Sequence, residues 1–123
     1  MKRKLSVRWL GKPQAHDYVA AASYLTLLYD EGKAAKIAKR LREAEISEFK
    51  AKDIFRASRL SLLGISNSHV EADRKKIRAA EKLSPLLLVR DRNTGKVIIA
   101  DGYHRLCAVY SYDEDALVPA KIV

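Results

Sequence analysis

Two short, continuous apolar runs, Leu86-Leu87-Leu88-Val89 and Val97-Ile98-Ile99-Ala100, constrain the C-terminal half of the chain more than any other feature. Between them lies Asp91-Arg92-Asn93-Thr94-Gly95, a polar stretch with glycine where a hairpin loop needs it, so the runs read as two buried strands. The second strand runs directly into Asp101-Gly102, after which Leu106, Val109 and Tyr110 recur at helical spacing. Asp113-Glu114-Asp115 then forms an acidic turn, and residues 117–123 read as a further strand. Proline cannot donate to a ladder, so Pro119 argues for an edge strand or a non-bonded position.

Upstream, the pattern is helical. Tyr18, Ala21, Ala22, Leu25, Leu28 and Tyr29 mark an apolar face through residues 14–30, with Pro13 suited to the start and Gly32 to the stop. Ala34, Ile37, Ala38 and Leu41 form a second stripe, opposite Lys33, Lys36, Lys39, Arg40 and Arg42. These two helices are expected to pack as an antiparallel pair. Residues 46–51 alternate as a short strand, and Asp53 is placed to cap a brief helix through Ile54, Phe55 and Ala57. A loop at 61–67 precedes Ser68-His69-Val70-Glu71, which fits a capping box for a helix over 69–82, with Val70, Ile77 and Ala80 turned inward. Pro85 closes the approach to the first strand of the hairpin. The expected fold class is α+β, in one domain over 1–123: a basic tail at 1–12, a helical portion at 13–45 and a core of packed helices on a small mixed sheet at 46–123.

A chain of 123 residues holds one core, and 48% hydrophobic with 32% charged residues is a globular balance. Cys107 is the only cysteine, so no intrachain disulfide forms, and the cytoplasm is the expected compartment. No run has the ~18 apolar residues of a membrane span, so no membrane partner is expected. The net charge of +9 favours polyanions, with residues 2–12 and 33–42 as the candidate nucleic-acid contacts. Basic side chains that merely solvate a helix face are the plainer alternative.

The chemistry concentrates in Asp101-Gly102-Tyr103-His104-Arg105. First-turn amides of a helix lack internal partners and the peptide dipoles place partial positive charge there, so an anion at this turn meets ready donors. Gly102 allows close backbone approach, Arg105 adds a planar fork suited to phosphate or carboxylate, and His104 can donate, accept or shuttle a proton near neutral pH. Asp101 is then helix cap, metal ligand or base. Simpler roles stand beside these: Asp-Gly after a strand is ordinary turn chemistry, and Arg105 can pair with the 113–115 acids for ~0–1 kcal/mol. A second anion-facing terminus is expected at Ser66-Asn67-Ser68-His69, although Ser68 also serves simply as a cap. His16, His69, His104 and Cys107 lack metal-ligand spacing, so no metal site is assigned.

The run Ile98-Ile99-Ala100-Asp101-Gly102-Tyr103-His104-Arg105-Leu106-Cys107-Ala108, with Val118-Pro119-Ala120-Lys121-Ile122-Val123 after the acidic turn, resembles the ParB/sulfiredoxin superfamily. There a strand ends in Gly, enters a helix through an Arg-bearing motif and is followed by a strand around a Val/Ile-Pro pair. Sulfiredoxins carry Gly-Cys-His-Arg at this turn and the free-serine kinase branch Asp-Gly-His-His-Arg; residues 101–105 are nearer the second. Ser84-Pro85-Leu86-Leu87-Leu88-Val89 is similar to the Pro-Ile/Leu strand of ParB N-terminal domains. The resemblance covers residues 65–123 and leaves the helical pair at 14–42 outside.

The resemblance implies a ParB/sulfiredoxin-like sheet with Gly102, Tyr103, His104 and Arg105 at the phosphates of a nucleotide, and Asn67 and His69 in the loop lining the cleft. Its departures also carry weight. Tyr103 stands where sulfiredoxins have their catalytic Cys, so Cys-dependent sulfinic-acid reduction is not expected. Cys107 follows one turn later on the same face, where a buried thiol ordinarily acts as a small hydrophobe. ParB's Glu-Arg-Arg is absent at the turn, as are its helix-turn-helix and dimerisation regions, so partition-type sliding on DNA is not expected. Glu71 is the nearest candidate by position for the kinase branch's other acid.

The leading expectation is a bacterial-type module that binds a nucleotide (ATP, ADP or CTP, with Mg2+) or another phosphorylated small molecule, and transfers or hydrolyses a phosphoryl group. Arg105 and the turn amides would stabilise phosphate charge, Asp101 would act as base or metal-associated carboxylate, and His104 as orienting donor or acid. The alternatives are a basic nucleic-acid-binding module and a non-catalytic interaction domain that keeps the fold without the chemistry.

Overall fold

The computed structural model describes residues 6–123, so Lys2, Arg3 and Lys4 of the basic tail lie outside the described residues. In chain order the elements are β1 (Arg8–Trp9), α1 (Ala15–Leu28), α2 (Glu31–Glu43), β2 (Ile46–Lys50), α3 (Ala51–Ser58), α4 (Ser68–Arg78), β3 (Lys82–Leu83), β4 (Leu86–Asp91), β5 (Lys96–Asp101), α5 (Tyr103–Tyr112) and β6 (Leu117–Ile122). The fold is α+β.

Four strands form one sheet in the order β2-β6-β4-β5, and β1 and β3 form a separate short parallel pair. β4 and β5 are the antiparallel hairpin expected from the two apolar runs; β6 is antiparallel to β2 and parallel to β4. The runs are continuous because helices cover both faces of the sheet. Leu87, Val89, Ile98 and Ala100 pack with Ala21, Leu25, Ala34, Ile37 and Leu41 of α1 and α2. Leu86, Leu88 and Ile99 point the other way, into a core with Ile54, Val70, Ile77, Leu106 and Val109 from α3, α4 and α5. Leu86, Leu87 and Leu88 are all fully buried, and each such side chain stabilises by about 1.5–3 kcal/mol.

Several boundaries differ from the sequence reading, each for a local reason. Gly32 does not stop the first helix: Asp30 caps the second, its Oδ1 accepting from Lys33 N–H at 2.8 Å, so Gly32 falls in the first turn of α2. Asp53 is not a cap, because α3 already begins at Ala51 after the extended residue Lys50. The capping box expected at Ser68 does not form, because the cap falls one residue earlier and Glu71 pairs with Arg74 and Arg78 instead. Asn67 is the N-cap of α4, its Oδ1 accepting from His69 N–H at 3.0 Å and Val70 N–H at 3.2 Å. That helix ends at Arg78, short of residue 82, and β3 takes up Lys82–Leu83. β6 is interior and not an edge; Pro119 stands opposite Glu48, one residue before pairing with β4 begins at Ala120, so its missing N–H falls outside that ladder.

Candidate functional site

The strand-to-helix turn is built around a glycine that nothing else can replace. Gly102 has φ +106°, and a Cβ there would lie 2.7 Å from Leu86 Cγ and 2.9 Å from Arg105 Nη2. As the N-cap of α5 it offers no side-chain acceptor, so the first-turn amides have no side-chain cap. This leaves the positive end of the α5 dipole without a protein anion of its own in the first turn.

Arg105 folds back beneath the turn. Its Nε donates to Ser84 O at 3.0 Å, and its Nη2 donates to Asp101 Oδ2 at 3.1 Å and to Pro85 O at 3.4 Å. Nη1 lies 3.9 Å from Asp17 Oδ1, an ion pair with a carboxylate of α1. Arg105 therefore pairs with Asp101 and Asp17 and not with the 113–115 acids, and most of its donors are already engaged by the protein's own oxygens. Two largely buried carboxylates share one guanidinium. Burial pushes the Asp101 carboxyl up to about 6, with the neighbouring Asp17 adding to the rise and Arg105 opposing it. Asp17 is held from its own side by Gln14, whose N–H donates to Asp17 Oδ2 at 2.8 Å.

The opposite wall comes from α4, where His69, Asp73 and Lys76 recur at four- and three-residue spacing and so share one helix face. Together with Asp101–Arg105 they line a cleft of about 240 Å³. The rings of His69 and His104 lie 4.9 Å apart, centroid to centroid, tilted by 40°. Burial lowers the pKa of His104; the neighbouring His69 and Arg105 add to this and Asp73 opposes it. Asp73 is raised, chiefly by burial, against the pull of Lys76, Arg105 and both imidazoles. This lowering favours the neutral imidazole of His104, a form that can both donate and accept.

The structure brings together Asp101, Gly102, Tyr103, His104, Arg105 and His69 from the sequence candidates. The Tyr103 phenol turns to the chain segment before α4, donating to Ser61 O, with its ring edge against Phe55. Asn67 and Ser68 do not line the cleft, since the Asn67 carboxamide is spent on its own helix. Glu71 is also elsewhere, paired with Arg74 at 3.3 Å and Arg78 at 2.9 Å, which lower its pKa. Cys107 is buried in the core and its thiol is pushed up by burial. His16 sits exposed beside Asp17, apart from His69 and His104.

Sequence reasoning missed Asp17, Asp73 and Lys76. The spacing of Asp73 and Lys76 from His69 was available as a signal, but on a charged helix it reads equally as a solvated face. Asp17 gave only a local one, as the acid three residues into α1.

A resident magnesium does not fit this donor set. Asp101 is engaged by Arg105 and Asp73 has Lys76 at 3.9 Å, and no group of three or more His, Cys, Asp or Glu among the described residues is arranged to hold a metal. Compared with protein-family models, curated proteins and solved structures, the chain finds no match.

Proposed function

We propose that the cleft between α4 and the start of α5 binds the phosphoryl group of a nucleotide or another phosphorylated small molecule, in a module of ParB/sulfiredoxin type. One observation carries this reading: the first turn of α5 opens without a side-chain cap between His69, His104 and Lys76. Amides, imidazoles and an ammonium are the donors that phosphate oxygens require, and the helix dipole favours the charge they carry. Arg105 contributes indirectly. It fixes Asp101 and the carbonyls of Ser84 and Pro85 around Gly102, which holds the amides in place. If a phosphoryl group is transferred or hydrolysed, Asp101, with its pKa near 6, is the group suited to take up a proton, and His104 the group suited to orient the acceptor.

Titration of ATP, ADP and CTP, each with and without magnesium, tests the proposal by calorimetry and thermal shift. Binding is expected for wild type and is expected to weaken in His104→Ala and Lys76→Ala. Absence of binding by all three nucleotides would overturn it. Binding without turnover would identify a non-catalytic binding domain.

A basic nucleic-acid-binding reading is favoured by a different observation. Lys33 and Arg40 of α2 face Arg90 and Arg92 across a cleft of about 550 Å³. It requires oligonucleotide affinity that falls steeply with salt and drops in Arg40→Ala; salt-insensitive or absent binding would end it.

A further inference from the structure

A larger cleft lies on the other side of the α1 N-terminus. It has a volume of about 840 Å³ and is bounded by the Leu10–Pro13 segment, the first turn of α1, the end of α2 and β6. Three of its lining residues are cationic, Lys12, Arg42 and Lys121, and none is acidic. Lys121 is only 8% exposed. Its Nζ donates to Arg42 O at 2.8 Å and stands 5.3 Å from the centroid of the Tyr18 ring. The Arg42 guanidinium lies 4.7 Å from the centroid of the same ring.

Two like charges are thus gathered on one aromatic ring, and no carboxylate among the described residues pairs with either of them or with Lys12. The carbonyl end of α2 accounts for part of the Lys121 charge, as a lysine at a helix C-terminus does. Arg42, in the last turn of the same helix, shares that partial charge, whereas Lys12 lies on another segment. A buried ammonium beside a second cation favours negative charge nearby, and here the protein supplies only the partial charges of the α2 carbonyls and the Tyr18 ring face, with no carboxylate lining the cleft.

We propose that this cleft is a second anion site, which takes a compact phosphate-bearing ligand such as a diphosphate or the terminal phosphate of a small molecule. Lys12, Arg42 and Lys121 come from three separate segments and line the one cleft, an arrangement that suits a small multivalent anion. The volume falls within the range of small-molecule pockets. The site shares no lining residue with the cleft at α5, so it stands whether or not that cleft binds phosphate.

The test is a titration of the whole chain with inorganic pyrophosphate, followed by amide chemical shifts. Movement is expected at Lys12, Ala15 and Tyr18, and a His104→Ala variant should retain it. Lys12→Gln and Arg42→Gln are the variants of choice, because both side chains are exposed and neither holds α2 as Lys121 does. Each is expected to weaken binding roughly tenfold, the effect of one charge-assisted hydrogen bond, without changing the melting temperature. The proposal is overturned if pyrophosphate produces no shifts there, or if both variants bind as wild type does. It is also overturned if only an oligothymidylate binds the region, with a steep salt dependence.

Discussion

Replacing Arg105 by alanine would strip the guanidinium from two carboxylates that the fold keeps out of water, Asp17 and Asp101. Removing one partner from a buried ionic group leaves the others uncompensated, so a loss of about 3–5 kcal/mol is expected in chemical denaturation. Arg105→Lys should recover only part of it, since an ammonium cannot reach Ser84 O, Asp101 and Asp17 with one planar fork. Asp101 itself sets a pH dependence. Its folded pKa of about 6 lies above the ordinary carboxylate value, so the folded chain binds this proton more tightly than the unfolded chain does. The stability from that proton is fully present below about pH 4 and is lost as pH rises through 6. Asp101→Asn removes the titration. Urea midpoints should therefore show wild type losing ground to the variant between about pH 4 and about pH 7, and parallel pH profiles would contradict it.

At the level of elements, the start of α4 separates two readings that the sequence leaves nearly equivalent. Asn67→Ala removes the acceptor for two amides and is expected to cost about 1 kcal/mol, whereas Ser68→Ala, one residue inside the helix, should cost a few tenths at most. Denaturant midpoints of the two variants check this directly. The same comparison explains what could be read from sequence. The strands of the hairpin were recognisable because cover on both faces forces every side chain to be apolar, a pattern that needs no knowledge of the neighbours. Helix ends were not, because Gly32 reads as a stop for the first helix where Asp30 in fact starts the second, and Asn67 and Ser68 are adjacent cap residues between which only the path of the chain decides. The Asp101–Arg105 turn was recognisable because strand, glycine and helix are contiguous. Asp17, Asp73 and Lys76 were hidden because what makes them part of the site is the docking of α1 and α4 on the sheet, not their immediate sequence.

Over the whole molecule, the sheet joins its parts out of chain order. Among the described residues β2 pairs only with β6, and β6 in turn connects it to β4 and β5. Deleting residues 117–123 removes both ladders, together with the buried Val118 and Ala120. The shortened chain is expected to lose cooperative thermal unfolding while keeping helical circular dichroism; a sharp transition near that of the full chain would disprove the dependence. The placement of β6 also bears on how the molecule comes into being. As the polypeptide leaves the ribosome, β2 emerges early and stays without a neighbour while the hairpin forms. Only when the strand that divides them has been synthesised can the two sides meet, so β2 presents open, unpaired backbone to its surroundings until β6 is made.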